Sequence, residues 1–132
     1  MFAHTIRVRW AEVDAQGVVF NPNYLVYTDV AVTEFMRAAG CLSNQIPDVE
    51  ESYVVDAHIV FKAPARFDDL LTLEVSAPRV GRSSYECVVR ILRDGALLAG
   101  VTMKYVRASQ GKAIPLSEQF RALIGQEMHS VE

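Results

Sequence analysis

The chain has 132 residues, of which 51% are hydrophobic and 22% are charged, so it suits one globular domain spanning residues 1–132 and not a disordered or collagen-like chain. Its formal net charge is −3 at pH 7, and charges of both signs are scattered along the chain. This distribution leaves no basic surface for neutralising phosphates, which argues against nucleic acid as a partner.

The first predicted element is a short strand from His4 to Trp10. β-branched and aromatic residues alternate with arginines there, so that Ile6, Val8 and Trp10 share one face. We therefore expect these three side chains to form one apolar face.

A long helix is predicted from Asn23 to Gly40, because this stretch has no alternation of period two and ends on a glycine suited to the C-cap. Asn21 is a good N-cap residue, and Pro22 fits the first helical position. Apolar residues lie on nearly every side, which predicts a buried helix. The exceptions form one narrow polar stripe: Asp29, Thr33 and Arg37, with Glu34 beside it.

From Tyr53 onward the sequence predicts four strands with short connections, which indicate an antiparallel sheet with one buried face. Asp94-Gly95, between the last two strands, predicts a type I′ hairpin. Ser117 is suited to cap a final short helix. The apolar positions of the strands fall into four sets: Ala57, Ile59, Phe61 and Ala63; Leu71, Leu73 and Val75; Tyr85, Cys87, Val89 and Ile91; Leu97, Ala99, Val101, Met103 and Tyr105.

This order of elements predicts an α+β fold, in which an antiparallel sheet of about five strands wraps around a long central helix. The edges of such a sheet need a cover, and pairing of edge strands between two copies of the chain would supply one. We therefore predict a homodimer or a homotetramer.

The two cysteines, Cys41 and Cys87, stand alone in the sequence without C-x-x-C spacing. They are predicted to be small buried residues in a reducing compartment, not a disulfide or a zinc site. The N-terminal segment MFAHTIRVRW lacks a signal-peptide pattern, and no apolar run reaches the roughly 18 residues of a membrane span. We expect a cytoplasmic protein with no membrane span.

The stretch WAEVDAQGVVFNPNY, residues 10–24, places Asp14 between the first strand and the helix. An Asp before a glycine turn often forms an Asx turn, and Gly17 permits the turn itself. Taken alone, these residues slightly favour the turn-forming role. A carboxylate can also act as a nucleophile or general base, and the free N–H groups of a helix start suit negative charge.

The segment D-x-x-G-V-V-F-N-P-N-Y, from Asp14 to Tyr24, resembles the signature of the 4-hydroxybenzoyl-CoA thioesterase family of hotdog-fold acyl-CoA thioesterases. Three further matches follow in order: A-P-A-R-F-D-D at 63–69, G-R-S-S at 81–84, and Pro115 before the last helix. The likeness covers almost the whole chain. One departure is Asn21, where members such as the Tol-Pal-associated thioesterases carry His.

The resemblance implies that Asp14 is the catalytic acid, as nucleophile or as general base, and that a backbone N–H at Asn21 or just beyond binds the oxyanion. Gly17 shapes the turn between them. The substrate-binding candidates are Arg82, Ser83 and Ser84, which match the family's loop near the pantetheine or phosphate portion of coenzyme A, with Lys62 and Arg66 as looser ones. Tyr24 is a further candidate, although a tyrosine in this place is more often a core residue. In hotdog dimers the site lies at the subunit interface, so that some of these residues could serve the neighbour's Asp14. Coenzyme A would enter as part of the substrate, with no cofactor or metal.

Two other functions are compatible with the same fold. A non-catalytic module could bind acyl-CoA or acyl carrier protein without turnover. A hotdog enoyl-CoA hydratase or dehydratase usually pairs a His with an acid, but His4, His58 and His129 lie in no such motif. A catalytic role for Glu34 or Asp29 on the helix is also conceivable, although Glu34 more simply forms an ion pair with Arg37.

Overall fold

The computed structural model describes residues 2–43 and 45–130, with the side chains of 126–130 excepted. Six strands and two α-helices make up this part of the chain, with a 3₁₀ turn at Trp10–Glu12. In chain order they are β1 (Phe2–Arg7), α1 (Asn23–Ala39), β2 (Ser52–Phe61), β3 (Leu70–Val80), β4 (Ser84–Arg93), β5 (Ala96–Ser109), β6 (Lys112–Ala113) and α2 (Glu118–Ser130).

All strand pairs of the sheet are antiparallel. The strand order is β1-β3-β4-β5-β2, and the two-residue β6 adds to β5, so that the predicted number of about five is exceeded by one short strand. Helix α1 contacts β1, β3 and β4 on one face of the sheet. The predicted α+β class with an antiparallel sheet is confirmed.

Helix α1 begins one residue later than the predicted cap implies, since Pro22 and not Asn21 is its N-cap and Asn23 is its first residue. Backbone carbonyls replace the expected Asn21 side-chain cap: the N–H groups of Asn23, Tyr24 and Leu25 donate to the carbonyls three residues before them. The helix ends as predicted at Gly40, whose φ of 85° is the left-handed conformation that glycine adopts without steric cost.

The prediction that α1 is buried on all sides is wrong for this chain. One side packs on the sheet, whereas Leu25, Val26 and Val30 are 38%, 51% and 36% exposed. A single sheet can cover only one side of a helix, and the apolar residues on the other side therefore face outward. The predicted ion pair on this helix is present, with Arg37 Nε 3.2 Å from Glu34 Oε2.

The predicted first strand is too long at its C-terminal end. β1 pairs with β3 only as far as Arg7, which lies opposite Leu70, and the chain then turns into the 3₁₀ segment. Trp10 is consequently not a core residue but is 71% exposed, with its ring packed edge-on against Phe67 at 4.8 Å.

The hairpin between β4 and β5 has the predicted left-handed residues, with φ of 51° at Asp94 and 79° at Gly95. An irregularity in the β4–β5 pairing, between Ile91 and Leu92, shifts the alternation at the start of β5. Leu98 is therefore buried, whereas the sequence pattern places Leu97 in the core. The other predicted apolar positions of β3 and β4 are buried as expected.

The second helix is joined to the loop after α1 by Asp48, which is fully buried. Ser117 caps α2 as predicted, accepting a hydrogen bond from the N–H of Phe120. Both carboxylate oxygens of Asp48 accept hydrogen bonds from Ser117, one from its N–H at 2.8 Å and one from its hydroxyl at 2.7 Å. Arg107 lies 3.7 Å from the same carboxylate.

Cys41 and Cys87 are buried, as predicted. Burial raises the pKa of the Cys87 thiol to about 12. Neither helix within residues 2–43 and 45–130 has the length and apolar character that crossing a bilayer requires.

Candidate active site

Asp14 lies in a tight turn closed by the pairing of Val13 with Val19. Its backbone N–H donates to the carbonyl of Val18 at 2.8 Å, and its carbonyl accepts from the N–H of Gly17 at 3.0 Å. Gly17 has a φ of 78°, so that the expected turn requirement for glycine is met. Asp14 is half-buried.

The carboxylate of Asp14 forms the Asx turn, the role that its sequence context offers as an alternative to catalysis. Its Oδ1 accepts a hydrogen bond of 2.8 Å from the backbone N–H of Gln16. No residue in the described ranges donates to Oδ2. The turn-forming role therefore uses one oxygen of the carboxylate, and the other accepts no hydrogen bond from the described residues.

The helix start carries one unoccupied backbone donor. Asn23, Tyr24 and Leu25 already donate to backbone carbonyls, and Pro22 has no N–H. The N–H of Asn21 donates to no residue within 2–43 and 45–130, and Asn21 is exposed. This N–H belongs to the residue to which the resemblance assigns oxyanion binding.

A cavity of about 360 Å³ opens at this helix start. Asn21, Tyr24 and Lys62, three of the residues singled out in the sequence, line it together. Asp14 is not among the lining residues, although Val18 and Val19 from its turn are. The other lining residues are apolar: Val18, Val19, Phe61, Ala63 and Pro64.

The segment after β2 forms the opposite wall of the cavity and is held on several sides. Val18 pairs with Arg66, and the N–H of Val19 donates to the carbonyl of Ala65 at 2.8 Å. Asp69 accepts hydrogen bonds from the N–H of Arg66 at 2.8 Å and from Arg93 Nη1 at 2.5 Å. The sequence shows the family likeness of this segment but not the role of Asp69 or Arg93, because nothing local indicates which strand an arginine will meet.

A second network lies at the base of the Asp14 turn and was also missed from the sequence. Glu12 accepts hydrogen bonds from Arg9 at 2.9 Å and from the hydroxyl of Tyr27 at 3.0 Å. Burial raises the pKa of Glu12, but the hydrogen bonds from Arg9 and Tyr27 outweigh it and leave this pKa below its ordinary value. Burial, and then the contact with Glu12, raise the pKa of Tyr27.

Arg82 and Ser83 lie in the turn from β3 to β4 and Ser84 is the first residue of β4, all away from the cavity. The carbonyl of Arg82 accepts hydrogen bonds from the N–H of Leu116 at 2.8 Å and from Arg121 at 3.0 Å. Arg93, which contacts the cavity wall at Pro64, stands at the other end of β4, about 30 Å from Ser84 by strand length. Within one chain the structure does not bring this turn to Asp14.

The histidines provide no acid–histidine pair in the described residues. His58 is exposed on the outer face of the sheet opposite Thr102, as the alternation predicts, and His4 lies on β1 opposite Leu73. The side chain of His129 lies outside the described residues. Within those residues, no cluster of three or more His, Cys, Asp or Glu side chains could hold a metal ion.

Comparison with known proteins shows which class of protein this architecture defines. Gentisyl-coenzyme A thioesterase BH1999 superposes with a TM-score of 0.81 at 25% identity over 94% of this chain and 99% of that one. The 1,4-dihydroxy-2-naphthoyl-CoA thioesterase of Synechocystis has the same fold, with a TM-score of 0.82 at 24% identity over 94% and 95% of the two chains. The fold is therefore of the hotdog thioesterase type.

The chain belongs to the thioesterase-like superfamily, whose family model matches residues 8–124. The acyl-CoA thioesterase YbgC of Haemophilus influenzae is 26% identical over 118 residues, which cover 88% of this chain and 87% of that protein. The family resemblance found in the sequence is confirmed, and the protein is a thioester hydrolase.

Proposed function

We propose that this thioesterase hydrolyses an acyl-CoA to the free acid and coenzyme A in the cytoplasm, with Asp14 as the catalytic carboxylate. The observation that carries the proposal is that two groups close in the chain have no hydrogen-bond partner in the described residues: Oδ2 of Asp14, and the N–H of Asn21 at the cavity. The thioesterase relatives named above act on CoA thioesters, which supports the same substrate class here.

The helix start supplies the electrophilic part of the reaction. A thioester carbonyl oxygen placed at the N–H of Asn21 gains a hydrogen bond that strengthens as negative charge develops on that oxygen. The positive end of the helix dipole adds to this effect. One such donor contributes about 10²- to 10³-fold in rate.

Asp14 acts on the other side of the carbonyl carbon in one of two ways. As a general base it takes a proton from water, whose oxygen attacks the carbon while the C–S bond breaks and the coenzyme A thiolate leaves. As a nucleophile it forms a mixed anhydride with loss of the same thiolate, and water then hydrolyses the anhydride. Both routes produce one acid and one thiol from one thioester and one water.

The coenzyme A arm needs cationic and hydroxyl partners around its phosphates. Lys62 lies at the cavity, whereas Arg82, Ser83 and Ser84 lie about 30 Å away in the same chain by strand length. We therefore infer that the turn containing Arg82 serves the cavity of a second copy. Tyr24 forms part of the cavity wall.

Strand β2 supports association of two copies. It is the last strand of the sheet, and its outer edge has no partner strand in the described residues. Four apolar side chains of this strand are about half exposed: Tyr53 (59%), Val54 (51%), Val55 (56%) and Phe61 (48%). An exposed apolar edge strand is prone to pair with another chain. A homodimer or homotetramer built through β2 would cover these side chains.

The test is a thiol-release assay with benzoyl-CoA, butyryl-CoA and lauroyl-CoA, run with the wild-type protein and with Asp14→Asn. We expect release from at least one substrate and a loss of about 10²- to 10⁴-fold in kcat for Asp14→Asn, since the carboxylate is replaced by a neutral amide of the same shape. Asp94→Asn, at an exposed position of the hairpin between β4 and β5, is the matched control and should keep wild-type activity.

The outcomes separate the alternatives. Full activity of Asp14→Asn would reject the proposed mechanism while leaving the thioesterase class intact. Binding of an acyl-CoA with no thiol release would favour the non-catalytic module. Hydration of crotonyl-CoA without thiol release would favour the hydratase.

A further inference from the structure

Tyr24 lies in the first turn of α1 and is only 2% exposed, although it lines the cavity. Its ring packs edge-on against Phe61 at 5.1 Å and against Tyr27 at 6.1 Å. These contacts fix the direction of the ring, and therefore the position of its hydroxyl.

The hydroxyl oxygen of Tyr24 accepts a hydrogen bond of 3.0 Å from the backbone N–H of Ala65. Ala65 is fully buried, so that this N–H has no access to solvent. The carbonyl of the same residue accepts the 2.8 Å hydrogen bond from the N–H of Val19, in the turn that carries Asp14. One peptide segment therefore bonds to the helix start on one side and to the Asp14 turn on the other.

Ala65 is itself held to the sheet by its neighbours. The N–H groups of Lys62 and Ala63 both donate to the carbonyl of Leu98, at 2.8 and 3.1 Å. Arg93 bonds to residues on both sides of Ala65, to Asp69 at 2.5 Å and to the carbonyl of Pro64 at 3.3 Å. The segment is thus a fixed support against which the helix and the turn are both placed.

We propose that Tyr24 is a positioning residue, whose hydroxyl sets the separation between the helix start and the Asp14 turn by bonding to Ala65. This inference rests on the function proposed above, in which the carbonyl carbon lies between the Asn21 N–H and the Asp14 carboxylate. The hydroxyl acts through Ala65, whose N–H donates to it and whose carbonyl accepts the N–H of Val19.

Removal of the hydroxyl would leave the buried N–H of Ala65 without an acceptor. The segment or the helix then shifts to satisfy that donor, because an unpartnered buried N–H is costly. A displacement of about 1 Å between reacting groups costs on the order of 10²-fold in rate. Substrate binding depends on the ring and on the coenzyme A contacts, which Tyr24→Phe retains.

The experiment compares kcat and KM of Tyr24→Phe with those of the wild-type protein, on the acyl-CoA of the panel that the wild type hydrolyses fastest. We expect kcat to fall about 10- to 100-fold and KM to stay within about threefold. Tyr85→Phe is the matched control, because Tyr85 is also 2% exposed and its hydroxyl donates to Ser52 at 2.8 Å, outside the cavity wall. It should lose a comparable hydrogen bond and keep its kcat.

A double variant separates positioning from general damage. In Asp14→Asn the catalytic carboxylate is absent, so its distance from the helix start no longer affects the rate. Tyr24→Phe should therefore lower the residual single-turnover rate of Asp14→Asn no further. An unchanged kcat, a rise in KM alone, or the same fall in both backgrounds would overturn the inference. Absence of thiol release by the wild-type protein would instead reject the proposed function, independently of any result with Tyr24.

Discussion

Asp14 and Asp48 are two acidic residues in loops next to the two ends of the sheet, and each accepts a hydrogen bond from a backbone N–H. Asp48 is fully buried, and both of its oxygens are occupied by Ser117. Asp14 is half-buried, and only one of its oxygens accepts a hydrogen bond within the described residues, from the N–H of Gln16. The cavity next to its turn is lined by Asn21, whose N–H donates to no described residue. A buried carboxylate with a hydrogen bond to each oxygen stabilises the fold, whereas the catalytic role proposed for Asp14 depends on the oxygen that accepts no hydrogen bond.

The largest effect on stability is expected for Asp48→Asn. The amide group of Asn has one acceptor oxygen for the two hydrogen bonds from Ser117, and it removes the negative charge that lies 3.7 Å from Arg107, which keeps only its ion pair with Glu51. We expect the free energy of unfolding to fall by about 3 kcal/mol. Urea unfolding measures this loss, and the folded fraction should keep the wild-type kcat.

Asp14→Asn is expected to have the opposite effect to Asp48→Asn, on activity and not on stability. It should retain most of the stability and lose activity, because only one hydrogen bond at a partly exposed position is weakened. Two outcomes would contradict this distinction between the carboxylates. One is a loss of kcat in folded Asp48→Asn as large as that in Asp14→Asn, and the other is unfolding of Asp14→Asn.

A smaller effect on stability is expected for Gly17→Ala. Its φ of 78° is unfavourable for a residue with a Cβ, while no atom lies within 4 Å of that Cβ, so the cost is backbone strain of about 1 kcal/mol. The turn also positions Asp14, through the hydrogen bond from the N–H of Gly17 to the carbonyl of Asp14. We therefore expect kcat to fall together with the thermal unfolding midpoint.

Gly111→Ala is the matched control for this variant. Gly111 has a φ of 79° and equally open space where the methyl group of an alanine would lie, but it belongs to the turn between β5 and β6. The substitution should lower the unfolding midpoint by a similar amount and leave kcat unchanged. Equal loss of kcat in both glycine variants would mean that the Asp14 turn has no special role.

The smallest effect is a pH dependence of stability through Glu12. Its pKa is lower in the folded chain than its ordinary value of 4.5, so the unfolded chain binds more protons and stability rises with pH in this range. The contribution is present above pH 4.5 and is lost as the pH falls through the lower folded pKa. Urea unfolding between pH 5 and about 3 should show a weaker pH dependence for Glu12→Gln than for the wild type. An identical dependence would show that folding does not lower the pKa of Glu12.

Much of the fold follows from local pattern. Alternation identifies β3 and β4 with their buried faces, Asp94-Gly95 identifies the hairpin, and Gly40 and Ser117 mark helix ends. These features depend on backbone sterics and on one buried face, which are properties of a few neighbouring residues. The exposure of Trp10 and of one side of α1 could not be predicted in this way, because it depends on where β1 leaves the sheet and on how far the sheet reaches.

The candidate site also has features that the sequence predicts and features that it does not. The motif from Asp14 to Tyr24 is contiguous, so its carboxylate, its turn glycine and its helix start can be recognised from the sequence by themselves, together with the thioesterase family. The bond from Ala65 to Tyr24, the pairing of Arg93 with Asp69 and the distance of Arg82 from the cavity were decided only by tertiary structure. The physical reason is that hydrogen bonds between distant segments are formed by the pairing of strands and the packing of a helix on them, and no spacing along the chain encodes which donor meets which acceptor.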